Sequence, residues 1–134
     1  MISKRASKFT SFIVMDVMAK TEELERKGEN VIHMEVGEPD FPTPKVITEA
    51  ATNALLNNKT RYTHALGLLE LREAICTFYH KDYGVTITPD QVLVSTGTSP
   101  ALLFAMLAIL DHGDEVIISN PRYPCYQNCI LAAG

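Results

Sequence analysis

The segment VLVSTGTSPALLFAMLAIL, residues 92–110, decides how this chain is expected to fold. Its first residues are apolar and β-branched, which is typical of a buried strand, and its last part favours a packed helix. A helix N-terminus carries N–H groups without internal partners and a partial positive charge, so it attracts anions. Gly97, Thr98 and Ser99 lie at this junction. We interpret them as a candidate phosphate-binding turn.

The same turn has a simpler interpretation, in which Thr98 or Ser99 only caps the helix. No Gly-Lys-Ser/Thr follows Gly97, and the chain has no G-x-G-x-x-G pattern. Both nucleotide-binding signatures are therefore missing. If the turn binds a ligand, the sequence favours a phosphate-bearing molecule that is smaller than a nucleotide.

Length and composition indicate one ordinary domain or part of a larger one. The chain has 134 residues, a net charge of −4 and a hydrophobic fraction of 46%. The acidic balance disfavours a nucleic-acid partner, and the apolar run 101–110 is too short to span a membrane. The N-terminal residues make a poor signal peptide, and the three cysteines show no tight pairing. We therefore expect reduced thiols and a cytoplasmic location.

Periodicity predicts an α/β chain. Apolar residues fall at helical spacing in 11–27, 44–58, 68–83 and the apolar part of 92–110, and another helix begins near Tyr126. Alternating or continuous apolar residues predict strands over 31–36, the start of 92–110 and 115–119. From residue 92 onward the order is strand, helix, strand and the start of another crossover. That order is typical of a parallel sheet covered by helices.

Three further residues are candidates for ligand binding. Tyr123 lies between two prolines after the second core strand, where open α/β sheets bind ligands, and its ring could stack on a flat molecule. Gly37 lies in the proline-rich loop 37–44, and Tyr62 lies in a polar link between two helices. Each is equally compatible with an ordinary turn or surface position.

Other polar residues carry no such signal. The four histidines share no metal-ligand spacing on one element, so no metal site is predicted. Cys125 and Cys129 are interpreted as packing residues. Arg61, Arg72 and Arg122 are interpreted as solvated or structural.

Five motifs occur in an order that resembles the N-terminal part of class I/II aminotransferases, with the aspartate aminotransferase-like branch most similar. These enzymes are fold-type-I proteins that use pyridoxal 5′-phosphate. The motifs are GEPDFPTP at 37–44, Tyr62 with Gly67 and Leu71-Arg72, STGTS at 95–99, GDEV at 113–116 and NPRY at 120–123. The resemblance extends from about Phe12 to Gly134.

The resemblance implies a role for each candidate residue. Gly97, Thr98 and Ser99 would bind the cofactor phosphate, and Tyr123 would stack on the pyridine ring. Tyr62 would reach the phosphate of the neighbouring subunit in a homodimer. Gly37 would lie against the substrate carboxylate, and the arm near Phe12 would border the substrate pocket. No lysine here matches the position of the family's Schiff-base lysine, so no catalytic residue is assigned.

The implied fold is an incomplete fold type I. We expect residues 1–43 to form the N-terminal arm and a small-domain segment. Residues 44–134 would form the first strands and helices of the large parallel-sheet, cofactor-binding domain. A full family member is about three times as long and has a seven-stranded sheet, of which this sequence supplies candidates for two strands. We therefore expect an N-terminal fragment that is inactive alone.

The implied activity is transfer of an amino group between an amino acid and a 2-oxo acid, with no nucleic-acid or membrane partner. One alternative is another fold-type-I enzyme, such as a lyase or decarboxylase, with the same phosphate-binding turn. A second is a ligand-sensing module that has the aminotransferase fold without its catalysis. A third is a fragment without a function of its own.

Overall fold

The computed structural model describes residues 2–134, and its regular elements are helical. The predicted helices are present, with ends displaced by a few residues. Gly84 has a left-handed φ of 68° at the end of α3, because glycine adopts this conformation without the strain of a Cβ. The helices are α1 Ile13–Arg26, α2 Lys45–Leu56, α3 Leu69–Tyr83, α4 Thr98–Ile109 and α5 Cys125–Ala133, and 3₁₀ turns cover Ala6–Lys8 and Pro89–Gln91.

The strand predictions are wrong for the described residues, none of which forms a strand. Val92 has extended dihedral angles, φ −114° and ψ 121°, but extended backbone becomes a strand only when a neighbour completes its hydrogen-bond ladder. Residues 31–36, 92–94 and 115–119 find no such neighbour within residues 2–134. Several of their apolar side chains are accordingly exposed, Ile117 fully so, whereas Val92 is buried. The sheet part of the expected α/β fold is therefore not present here.

Backbone proximity divides the chain into two compact units. The first contains the segment that ends at Asp40 and the segment Leu102–Gly134, and the second contains Phe41–Ala101. The boundary falls within α4. Each unit is described by itself below.

In the second unit, the turn at Gly67 packs against the extended segment that precedes α4. The Val94 N–H donates to the Leu66 carbonyl oxygen at 3.0 Å. Gly67 has φ +95°, and a Cβ built on it would lie 2.7 Å from Val94 Cβ. Both the dihedral angle and the space therefore require glycine at this position.

In the first unit, His33 links α1 to the extended segment that follows it. Its Nε2 lies 2.9 Å from Glu25 Oε1, and its Nδ1 lies 2.7 Å from Glu35 Oε1. These bonds, to Glu25 and then to Glu35, raise the pKa of His33 to about 9. The bond to His33 lowers the pKa of Glu35. The imidazolium thus connects two carboxylates that are ten residues apart.

Within residues 2–134, no helix is long and apolar enough to cross a membrane.

Replacing Gly67 with alanine should destabilise the second unit by about 2–4 kcal/mol, because the new methyl group adds a clash with Val94 to the cost of a positive φ. G84A is the matched control. Gly84 also has positive φ but no neighbouring atom within 4 Å, so it should cost only about 1 kcal/mol. Urea unfolding of both variants measures the difference. Equal losses would show that the contact with Val94 does not restrict this position.

The His33 interactions should make stability depend on pH. An unfolded histidine titrates near 6.5 and the folded one at about 9, so protonated His33 stabilises the folded chain fully below about pH 6.5. This contribution is lost as the pH rises through about 9. The difference in unfolding free energy between the wild type and H33Q should therefore shrink between about pH 7 and pH 10.

NMR titration of the His33 ring provides the direct measurement. The E35Q variant should lower the pKa of His33, because it removes one of the two carboxylates. A ring that titrates near 6.5 in the wild type would contradict the geometry described here.

Candidate functional site

The N-terminus of α4 is shaped by a tight turn. Gly97 has φ +104°, a conformation that other residues rarely adopt, and no atom lies within 4 Å of the position of a Cβ. The Ser95 Oγ donates to the Gly97 carbonyl oxygen at 2.6 Å and fixes the turn from within. Thr98 and Ser99, predicted to lie in the turn, form the first residues of the helix itself.

Several hydrogen-bond donors at this helix end remain available. Within the part of the chain that the structure describes, the N–H groups of Gly97, Thr98 and Ser99 donate no hydrogen bond, and neither do the two hydroxyls. The first turn of α4 contains no acidic residue. The exposed helix end therefore combines five donors with the positive end of the helix dipole, which is the chemistry that binds a phosphate group.

Tyr62 belongs to the same unit as this turn, and its side chain is fully exposed. It lines an open groove of about 480 Å³ whose charged residues are Lys59, Arg61 and Glu70. The segment after Tyr62 reaches the α4 turn through the backbone bond from Val94 to Leu66.

Tyr123 belongs to the first unit and is in contact with two aromatic rings. Its ring centroid lies 6.1 Å from that of Phe12 at 81° and 5.5 Å from that of Tyr126 at 74°. Both pairs are edge-to-face, an arrangement that aromatic quadrupoles favour. The side chain remains 47% exposed, so part of its surface is free to contact a ligand.

The N-terminal arm is fixed beside Tyr123 by a two-point contact with α5. The Asn128 amide group donates to the Thr10 carbonyl oxygen at 2.9 Å, and the Asn128 Oδ1 accepts from the Thr10 N–H at 3.3 Å. Phe12 follows two residues later and forms the N-cap position of α1. The structure thus brings the arm and Tyr123 together.

Gly37 and the cysteines show different surroundings. Gly37 is exposed, and no atom lies within 4 Å of the position of a Cβ, so a ligand could approach its backbone closely.

The Sγ atoms of Cys125 and Cys129 lie 3.6 Å apart, and burial raises the pKa of the Cys129 thiol. Among residues 2–134, no group of three histidine, cysteine or acidic side chains could hold a metal ion.

Sequence reasoning missed two polar contacts that organise these segments. Arg72 is 5% exposed and bonds backbone carbonyls, although arginines in helices are usually solvated. His33 bonds two carboxylates, although its position suggested only an alternating strand. The acceptors lie 2 and 8 residues from His33 and 5 and 17 residues from Arg72, and neither helical nor strand periodicity predicts these bonds.

Comparison with known proteins places these features in a family. The model of the family described as "Aminotransferase class I and II" matches residues 29–134. The chain is 48% identical over its whole length to a (5-formylfuran-3-yl)methyl phosphate transaminase of Methanocaldococcus jannaschii, and 42% identical to an aspartate aminotransferase of Thermotoga maritima. It covers 36% of each relative.

Solved structures give the same result. A Thermus thermophilus aspartate aminotransferase mutant in complex with tryptophan superimposes with a TM-score of 0.95 and 39% identity, covering 100% of this chain and 35% of that one. The chain therefore spans about a third of the length of the relatives it matches. The sequence motifs, the α4 turn and these matches together show that the chain belongs to the class I and II aminotransferase family.

Proposed function

We propose that the protein containing this sequence is a pyridoxal-phosphate-dependent aminotransferase that transfers an amino group between an amino acid and a 2-oxo acid. The observation that carries the proposal is the helix end at Gly97, Thr98 and Ser99, where five donors have no acceptor among residues 2–134 and the first turn has no acidic residue. This donor set fits the phosphate of the cofactor. When bound, pyridoxal phosphate supplies the electron sink that weakens bonds at the α-carbon of an amino acid.

Each residue contributes binding or orientation. The Gly97, Thr98 and Ser99 N–H groups and the two hydroxyls bind phosphate oxygens, and the helix dipole adds attraction for the dianion. Tyr123, which contacts Phe12 and remains half-exposed, offers aromatic surface for the flat cofactor. Tyr62 reaches the phosphate bound by a second copy, and Gly37 lets the substrate carboxylate approach the backbone. We assign no proton transfer to any residue of this chain.

The wider proposal rests on family membership. We propose a homodimer in the cytoplasm with a role in amino-acid biosynthesis. We also propose that residues 1–43 form the arm and a small-domain segment, and that residues 44–134 belong to the cofactor-binding domain. The chain alone supplies binding groups without the Schiff-base lysine, so we expect it to bind the cofactor weakly and to produce no turnover.

Removing the two hydroxyls should weaken binding of the phosphate group specifically. The T98A/S99A variant should lose about a hundredfold or more in affinity for pyridoxine 5′-phosphate, because hydrogen bonds to a charged group contribute roughly 1.5–3 kcal/mol each. Its affinity for pyridoxine, which lacks the phosphate, should not change. Equilibrium dialysis measures both, and neither ligand has an aldehyde that could react with surface lysines.

T77A is the matched control. Thr77 is an exposed helical threonine whose hydroxyl donates to the Glu73 carbonyl oxygen within α3. This variant should bind both ligands as the wild type does. Equal affinity of the wild-type chain for the two ligands would refute a phosphate site at α4. A transamination assay on the whole protein, with pairs of amino acids and 2-oxo acids, then tests the activity.

A further inference from the structure

The proposed function leaves unexplained a buried arginine on α3. Arg72 is 5% exposed, and it is one of four buried residues among those described. Burying a guanidinium is costly unless its N–H groups find acceptors. Its acceptors are two backbone carbonyl oxygens on either side of α3: the Nη1 group donates to Pro89 at 2.8 Å, and the Nε group donates to Gly67 at 3.3 Å.

These two carbonyls lie where they can fix the segment that enters the α4 turn. Pro89 begins the 3₁₀ turn that leads directly to Val92, and Gly67 packs against Val94. The Leu66 carbonyl oxygen accepts from the Val94 N–H at 3.0 Å. The short segment between Val92 and Val94 is thus held at its start through Pro89 and at its end through Gly67 and Leu66.

The nearby carboxylate does not explain the burial. Asp90 Oδ1 lies 3.6 Å from Arg72 Nη1, and the Asp90 side chain is 93% exposed. An ion pair with a solvated partner contributes little to stability. The hydrogen bonds to the two carbonyls are therefore the main role of the guanidinium, which directs two different nitrogens of one rigid plane at them.

We propose that Arg72 is a positioning residue for the phosphate-binding turn. Gly97 lies three residues after Val94, so a shift of the segment carries the turn and the first N–H groups of α4 with it. Arg72 itself contacts no ligand. It sets where Gly97, Thr98 and Ser99 present their donors relative to the segment that carries Tyr62. The expected effect of Arg72 on ligand binding rests on the proposed function. Its expected effect on the position of residues 92–94 does not.

The first measurement is amide hydrogen exchange on the chain without ligand. The R72M and R72K variants should exchange the Val94 N–H at least tenfold faster than the wild type, while amides in the middle of α2 stay unchanged. R72K should keep the helical content of the wild type if R72M does not. Its ammonium nitrogen falls near the position of the guanidinium carbon, so it cannot reach both carbonyls at the Arg72 hydrogen-bond distances without a shift of the segment. Unchanged exchange at Val94 in R72K would overturn the proposal, whatever the ligand measurements give.

The second measurement is affinity for pyridoxine 5′-phosphate and for pyridoxine. In R72K we expect about a tenfold loss for the first ligand and no change for the second, because only the phosphate contacts are displaced. Adding T98A/S99A to R72K should then cost less than it does in the wild-type background, because both changes act on one set of donors. Equal losses for the two ligands, or fully additive losses, would indicate general destabilisation and would overturn the positioning role.

Two control variants separate the role of the carbonyl hydrogen bonds from that of the Asp90 carboxylate and from the replacement of an arginine as such. D90N should leave both exchange and binding unchanged, since the carboxylate is solvated, and a D90N effect as large as that of R72K would overturn the role of the carbonyls. R26K changes an exposed arginine that pairs with Glu22 on α1 and should have no effect. If the wild type shows no preference for the phosphate-bearing ligand, the proposed function fails, whereas faster exchange at Val94 in R72K would still support the effect of Arg72 on the segment.

Discussion

A buried guanidinium that bonds carbonyl oxygens is the interaction on which the second unit depends. Arg72 projects from α3, an element that the sequence makes strongly helical, toward two backbone segments that have no regular structure of their own. Irregular backbone must still satisfy its carbonyl groups, and a fixed planar donor can satisfy two of them at once. The helix thereby gives a defined position to loops that would otherwise have none, and the α4 turn follows from one of those loops.

The sequence could predict elements that depend on local contacts, but not elements that depend on distant partners. Helices α1 to α5 depend on contacts three and four residues apart, so their apolar spacing predicted them to within a few residues. Strands depend on partners far away in sequence. The apolar residues 115–119 have the composition of a buried strand, yet composition cannot supply the neighbour that completes the ladder. The contacts of Arg72 and His33 were missed for another reason, because a side chain that bonds a backbone carbonyl or a carboxylate leaves no periodic pattern in the sequence.

The candidate site was more predictable than the sheet because its main feature is local. Glycine, two hydroxyl residues and a proline at the start of an apolar helix define an anion-binding end without reference to the rest of the chain. The sequence placed Thr98 and Ser99 in the turn, and the structure shows them as the first helical residues. This difference favours the interpretation as a site, because residues at the first helical positions direct their own N–H groups away from the helix. The particular ligand proposed for this helix end rests on several motifs in order and not on the turn alone.

The contact between Thr10 and Asn128 has a consequence for how this enzyme family can diversify. The Asn128 side chain bonds both the N–H and the carbonyl group of Thr10, much as a neighbouring strand would. The position of the arm therefore depends on a helix more than a hundred residues away in sequence. A substitution of Asn128 would move Phe12 without any change in the sequence of the arm. A change in the arm would be tolerated only if the Asn128 side chain could still bond the backbone of residue 10. We therefore expect substitutions in the two segments to be coupled. A change in α5 alone would be enough to shift Phe12, which lies in the arm proposed to border the substrate pocket.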